Sequence, residues 1–347
     1  EHRDHDDATL YPANWPYTIT SQGSSSSDRR FVEALLMTLA AFPRDTRLLL
    51  EQKGLIAPTL QMILRRNLAG VDTPGDYMSA TAHPSVFDGT ALRTERMIVQ
   101  ATRLSPNDVP PLVQLSMVEE DFGPFAGLTG QDERLFTTPS AIARLWRGRQ
   151  WSREFVVSAE GTVDTNGREL TFYWTVLRGN PQKVTIEPLD ETGSRARVRL
   201  LWHDAYPAPP LIPGVERPRM TSRVDIAVFA SNGVNLSAPG FISVNFPTHQ
   251  LRRYGPGPDG TIRLVSTDYD AVTRQQSYDP TLYWSAPWTD TYRYDDSGHL
   301  VGWTRQTVDG ELDFDADGHL SDGRTISYPP PERINKQWVL RFEIHEG

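Results

Sequence analysis

Between residues 155 and 246 the chain alternates short runs of β-branched and aromatic residues with Gly, Pro, Asn and Asp, which restricts it to short strands joined by turns. The most legible run, residues 169–177, reads Glu-Leu-Thr-Phe-Tyr-Trp-Thr-Val-Leu and suits a pleated, half-buried surface. Just before it, Asp164-Thr165-Asn166-Gly167 supplies an Asn-Gly pair that tolerates positive φ, the pattern of a hairpin. Further strands are expected at 183–186, 196–202, 223–230 and 240–246. Together these runs predict a small antiparallel β-sandwich. That architecture hosts many unrelated activities, so function has to be argued from sites.

The flanks differ in character, and 347 residues are too many for one ordinary core. Residues 1–27, with Pro-spaced aromatics and a serine run, read as an extended N-terminal arm. Residues 28–150 read as a mainly helical domain. Asp28 stands at an N-cap position, Phe31, Leu35, Leu36, Leu39 and Phe42 share a helical face, and Pro43 ends the run. Helices are also expected over 44–52, ended by Gly54, and over 58–67, with weaker patterns over 91–102, 109–120 and 141–147. Residues 151–247 form the sandwich, with a proline-rich excursion over 205–218, and 248–347 a β-hairpin region. The fold class expected is α+β and multidomain.

A formal charge of -9 with 38% hydrophobic residues belongs to a globular chain. No apolar run is long enough for a membrane helix, and no basic cluster large enough to attract nucleic acid stands out. The absence of cysteine excludes disulfides, thiolate metal sites and Cys nucleophiles. The chain begins at Glu1 without an initiator Met, which suggests a removed upstream segment. The wealth of Trp, Tyr, Pro and turn signals leans towards an exported, extracellular or periplasmic protein.

Three acidic turns repeat after Pro247: Pro258-Asp259-Gly260-Thr261-Ile262, Asp295-Asp296-Ser297-Gly298-His299-Leu300 and Asp315-Ala316-Asp317-Gly318-His319-Leu320. Each predicts a hairpin in which the acid bonds its own backbone and Gly takes positive φ. Tyr292-Arg293-Tyr294-Asp295-Asp296-Ser297-Gly298-His299-Leu300 resembles one unit of a YD (RHS-type) repeat. The stretch from Asp164 to Trp174, with Asn232-Gly233-Val234, resembles the PKD and cadherin-like sandwiches of bacterial exported proteins, though Trp174 is followed by Thr175-Val176-Leu177 where the usual PKD signature would stand. These resemblances imply exported architecture and protein or glycan contact. They bring no catalytic residues.

Several constellations are candidates for chemistry. Asp313, Asp315, Asp317 and Gly318 match the opening of a calcium loop, with Arg324 in place of the closing Glu; the same residues make a plain acidic turn. Ser24 and Ser25, in a Gly/Ser loop before a helix, offer a nucleophile or merely a cap. Glu119 and Glu120, with Asp121, Asp132 and Glu133, are carboxylates of the kind glycoside hydrolysis uses, or a solvated face. His203 and Asp204 could meet His249 at a sheet edge, and His2 and His5 lie among acids in the arm. Tyr283, Trp284, Trp288, Tyr292 and Tyr294 provide flat rings for sugar or protein contact, or ordinary cross-strand pairs.

Two readings follow. The first is an exported binding or structural module contacting glycan or protein partners at the cell envelope. The alternative is an extracellular hydrolase of glycan or ester substrates, with its site where helical and β parts meet.

Overall fold

The computed structural model describes residues 28–84, 87–128, 130–207, 220–247, 250–269, 284–285, 288–330, 332–334 and 337–346. Five α-helices come first among them: α1 (Arg29–Ala41), α2 (Arg44–Lys53), α3 (Ile56–Arg66), the single-turn α4 (Pro74–Tyr77) and α5 (Thr94–Arg103). Pro43 separates α1 from α2, and Gly54, at φ 68°, closes α2 with its amide bonded back to Leu50 and Glu51. Asp28 precedes α1 but makes no side-chain cap bond. Thr73 and Asp76 form a reciprocal capping box on α4.

Strands then follow: β1 (Ser116–Glu120), β2 (Arg134–Thr137), β3 (Ala141–Leu145), β4 (Ser152–Ser158), β5 (Thr171–Arg178), β6 (Val184–Pro188), β7 (Arg195–Leu201), the short β8 (Tyr206–Pro207) and β9 (Met220–Thr221), β10 (Arg223–Ser231) and β11 (Gly240–Asn245). One sheet has the order β1-β4-β7-β6, a second the order β2-β3-β11-β10-β5. Pairing is antiparallel throughout both, except that β3 runs parallel to β11.

Alternation along β10 explains the layering. Val224, Ile226, Val228 and Ala230 point into a core shared with Phe155, Val157, Val198 and Leu200 of the first sheet. Ala227 and Phe229 point the other way, onto Phe31, Leu50, Met62 and Met97 of the helices. The second sheet is thus covered on both faces, by helices on one and by the first sheet on the other. Tyr77 ties the helical layer down, its ring 5.5 Å from Phe229 and its hydroxyl donating to the Ser237 carbonyl at 2.7 Å.

The last part is a third sheet of β12 (Leu251–Pro256), β13 (Ile262–Asp268), β15 (Thr289–Tyr294), β16 (Leu300–Thr307) and β17 (Gly310–Asp315), antiparallel in that order; the two-residue β14 (Trp284–Ser285) lies between β13 and β15 in sequence. Of the last four strands, β18 (Thr325–Ser327) pairs with β21 (Glu343–His345), while β19 (Glu332–Ile334) and β20 (Gln337–Leu340) join β14 in a small three-stranded sheet of order β14-β20-β19. The three acidic turns have the expected chemistry. Asp295 and Asp315 each accept amides two and four residues on, and Gly260, Gly298 and Gly318 sit at positive φ. Tyr254 of β12 joins this sheet to the rest, its ring 4.8 Å from Trp151 and 5.9 Å from Trp202.

The chain is therefore mixed α+β with several antiparallel sheets, and the structure corrects three local expectations. Residues 109–120 are not helical: Ser105 caps a single 3-10 turn (Pro106–Asp108), Pro110 and Pro111 lack the amides a helix needs, and β1 follows. Residues 141–147 hold β3, not a helix; every residue of β3, Arg144 included, is buried between two neighbouring strands, and so short a run with one charge in it carries no period to tell strand from helix. The Asn166-Gly167 turn is no hairpin, because β4 and β5 lie in different sheets. Asp164 organises it instead, accepting from the Asn166 and Arg168 amides and from Asn232 Nδ2 at 2.7 Å. Strands already begin at Ser116, within the stretch expected to be mainly helical.

Candidate ligand-binding site

His203 and the carboxylates Glu120, Glu133 and Asp204, all singled out in the sequence, are engaged in holding the fold. Glu120 receives a two-pronged bond from the buried Arg144 guanidinium, Nε to Oε2 at 2.6 Å and Nη2 to Oε1 at 3.0 Å. Glu119, its neighbour, lies exposed in β1. His203, 2% exposed, accepts from the Asn180 amide at Nε2 (3.1 Å), so its Nδ1 proton goes to the Leu201 carbonyl at 2.8 Å. Burial holds this imidazole below its ordinary pKa, and with both nitrogens occupied it is a neutral structural group. Asp204 accepts the Trp202 indole N–H at 3.0 Å. Ser24, Ser25, His2, His5, His249 and Tyr283 lie outside the described residues.

Among the described rings of the aromatic run, Trp288 and Tyr292 are buried and do not present a flat face. Trp288, 2% exposed, packs against Tyr269 and Phe342 with the Arg305 guanidinium 4.4 Å from its ring. Tyr294 is half-buried and donates to the Leu264 carbonyl at 2.8 Å. Trp284 belongs to β14, where its backbone pairs with Val339. The acidic set splits too. Asp313 turns to Arg293 and Thr304, whereas Asp315, Asp317 and His319, all exposed, bring ligand atoms within 4.8 Å of one another.

What the fold does assemble is a cavity of about 290 Å³ where the middle of the chain meets the third sheet. Its wall is the segment after Trp146. Glu133, 1% exposed, accepts the backbone amides of Arg147 and Gly148 and the Arg153 guanidinium, each at 2.7 Å. From the other side Arg252 of β12 donates to the carbonyls of Gly148 (2.5 Å) and Arg147 (3.1 Å), with its guanidinium 4.1 Å from the Trp202 ring. Clamped at amides and carbonyls alike, this backbone presents the Arg147 and Arg149 side chains to the cavity.

The rim is the loop between β1 and β2. The Ala126 amide bonds the Gln131 carbonyl, and Gly127 is so close to Arg147 that an added Cβ would stand 3.1 Å from the Arg147 Cβ. At its tip Phe125 is 83% exposed at φ 59°, a left-handed conformation that a bulky aromatic rarely adopts. The floor comes from the third sheet and the chain just beyond it. Leu264, Thr267, Tyr269 and Tyr292 are all buried there, and burial holds both phenols above the ordinary tyrosine range, so they stay protonated.

The electrostatics are one-sided. Arg147, Arg149 and Arg252 line the cavity, and among its described lining residues there is no Asp, Glu or His, in a chain whose net charge is -9. Arg149 is exposed, 5.9 Å from the Tyr292 ring, with no carboxylate partner among the described residues. Such a lining can hold a polar, negatively charged molecule and place a ring beside Phe125, but it offers no acid–base pair for proton transfer.

Among the described residues, Tyr292 is the one expected binding residue that belongs to this site. The arginines were missed because Arg147 and Arg149 lie more than a hundred positions from Arg252, and no local spacing joins them. The cluster Arg144, Arg147, Arg149 and Arg153 was the available signal, a basic run in an acidic chain. A second, more open depression, about 610 Å³, lies where α5 meets Val234 and Asn235, the junction of helical and β parts. Glu95 and Asp108 are in it, but no histidine or serine is among its described lining residues.

No family model matches the sequence, and no curated protein matches it. Among solved structures it aligns with a nucleoside hydrolase-related hypothetical protein from Saccharophagus degradans, described as associated with carbohydrate metabolism, at 12% identity and a TM-score of 0.21. The alignment covers 44% of this chain and 29% of that one, and at such a score it carries no argument about fold or function.

Proposed function

We propose that this chain is a non-catalytic binding module of an exported bacterial protein, acting at the cell envelope on glycan partners. The observation that carries this reading is the cavity lined by Arg147, Arg149, Arg252 and Tyr292, with Phe125 at its rim and no proton-transfer pair among its described lining residues. Arginine and aromatic groups combine directional hydrogen bonds with flat apolar area, which suits recognition of a polar ring. The hydrolase reading loses support because Glu120 is forked onto Arg144, both His203 nitrogens are bonded to backbone groups, and Asp204 accepts the Trp202 indole N–H.

A PKD- or cadherin-like sandwich belongs to the same proposal. It draws support from the single core that the first two sheets share around Trp146, Trp202 and Phe246, whose rings stand 5.1–6.0 Å apart. The testing experiment is to screen the protein against immobilised glycans alongside chromogenic esterase and glycosidase substrates. Saturable binding without turnover is the expected result; sustained turnover that survives repurification would overturn the reading in favour of the hydrolase.

A further inference from the structure

We infer that the cavity recognises an anionic sugar unit, its carboxylate or sulfate ester paired with the Arg149 guanidinium and its ring set against Phe125. This rests on the glycan-binding reading above and narrows it to a substrate class.

Three observations converge on it. The first is charge: three arginines line one cavity with no acid among the described lining residues, although acids outnumber bases along the chain, 44 to 35. Two of the three have structural work, since Arg252 binds the carbonyls of Arg147 and Gly148, and Arg147 Nε reaches the Asp132 carbonyl at 3.3 Å. Arg149 is the one whose fork remains available to a ligand among the described residues. A planar guanidinium meets a carboxylate or a sulfate with two parallel hydrogen bonds.

The second is size and polarity. A volume of about 290 Å³ lies at the low end for small-molecule sites. It suits one or two sugar rings better than an extended peptide. Gln150, Gln250 and Thr267 supply side chains that can exchange hydrogen bonds with ring hydroxyls.

The third is Phe125. An aromatic residue held at positive φ and largely exposed, at the mouth of the same cavity, is a strained arrangement that the fold maintains without burying the ring. Beside a bound sugar that ring gains a partner. The β1–β2 loop is held through Glu133, and so is the backbone that carries Arg149; ring and guanidinium are therefore positioned by one buried carboxylate.

Isothermal titration of the intact chain tests this with four probe sets: oligomers of galacturonate, glucuronate and mannuronate; sulfated galactose oligomers; the neutral galactose and glucose oligomers; and inorganic sulfate. The expected result is binding of a uronate or sulfated oligomer that neutral oligomers do not reproduce, weakened roughly ten- to a hundredfold by Arg149→Gln. Phe125→Gly should weaken it further, and each variant should keep the parent circular dichroism spectrum. If uronates alone bind, the anion is a carboxylate; if sulfated oligomers alone bind, it is a sulfate ester. Neutral oligomers binding as tightly as charged ones, with Arg149→Gln silent, would overturn the inference and leave the glycan-binding module standing. Inorganic sulfate competing at the same concentration as the oligomers would reduce the site to a simple anion hole and also overturn it. Absence of binding by every oligomer would remove both readings.

Discussion

The Glu133 carboxylate and the Arg153 guanidinium meet at 2.7 Å with both side chains no more than 2% exposed, and this pair is the hub of the candidate site. Glu133 Oε1 also takes the Arg147 and Gly148 amides, while Arg153 Nη1 donates to the Asp121 carbonyl at 2.6 Å and its guanidinium lies 4.5 Å from the Phe122 ring. One contact therefore joins the start of the β1–β2 loop, the cavity wall and β4. Glu133 was weighed in the sequence as an acid for chemistry; its surroundings make it a structural anion.

Removing that anion strands a buried cation. Glu133→Ala is expected to cost about 3–5 kcal/mol of stability. Urea unfolding followed by tryptophan fluorescence measures it. Glu133→Gln keeps an acceptor for the two amides and should lose less. A loss under about 1 kcal/mol for the alanine variant would mean that water reaches Arg153 and that the wall is not held as described.

His203 sets a pH dependence. Burial keeps its folded-state pKa below 6.5, near which the unfolded residue titrates, so below that pH the unfolded chain binds a proton that the folded chain refuses. Stability from this group is complete above the unfolded value and falls as the solution is acidified through it, by up to about 1.4 kcal/mol per pH unit. His83, fully buried and likewise held well below its ordinary value by burial, acts in the same direction. Denaturation midpoints between pH 7.5 and 5.5 should slope downward, and His203→Gln should flatten the slope while lowering the plateau. An unchanged slope in that variant would show that His203 protonates in place.

Legibility in the sequence tracked how local the cause was. Gly54 ending α2, and the acidic turns with Gly260, Gly298 and Gly318, depend on one or two residues whose backbone preferences are intrinsic, and all were readable. The strands β5, β7, β10 and β11 were readable because breakers bound them. β3 was not, since only its burial between β2 and β11 makes Ala-Ile-Ala-Arg-Leu extended. The cavity was the least readable feature, because Phe125, Arg149, Arg252 and Tyr292 come together only when the third sheet docks through Tyr254 onto Trp151 and Trp202.

Gly302 fixes the register of the third sheet. It lies opposite Asp315 on one side and Arg293 on the other, and a Cβ built there would stand 2.1 Å from the Phe314 carbonyl oxygen, a backbone atom that cannot swing aside. Gly302→Ala should therefore destabilise by about 1–3 kcal/mol or more. The loss should appear as faster amide hydrogen exchange along β16 and β17, leaving β10 and β11 protected. Equal protection in variant and parent would mean that the two strands separate there at no measurable cost.

Phe125 separates backbone strain from ring chemistry. An L-residue in the left-handed region costs about 1–2 kcal/mol that Gly does not incur, against a loss of about 0.5–1 kcal/mol from glycine's greater freedom when unfolded. Phe125→Gly should therefore unfold at or slightly above the parent temperature, because the 83% exposed ring contributes little burial. Phe125→Ala keeps the φ of 59° and its strain while losing the ring, so it should melt below the glycine variant. Differential scanning calorimetry of the three proteins decides the order. If alanine matches glycine, the loop has relaxed to negative φ; if both fall well below the parent, the ring supplies packing that its exposure does not reveal.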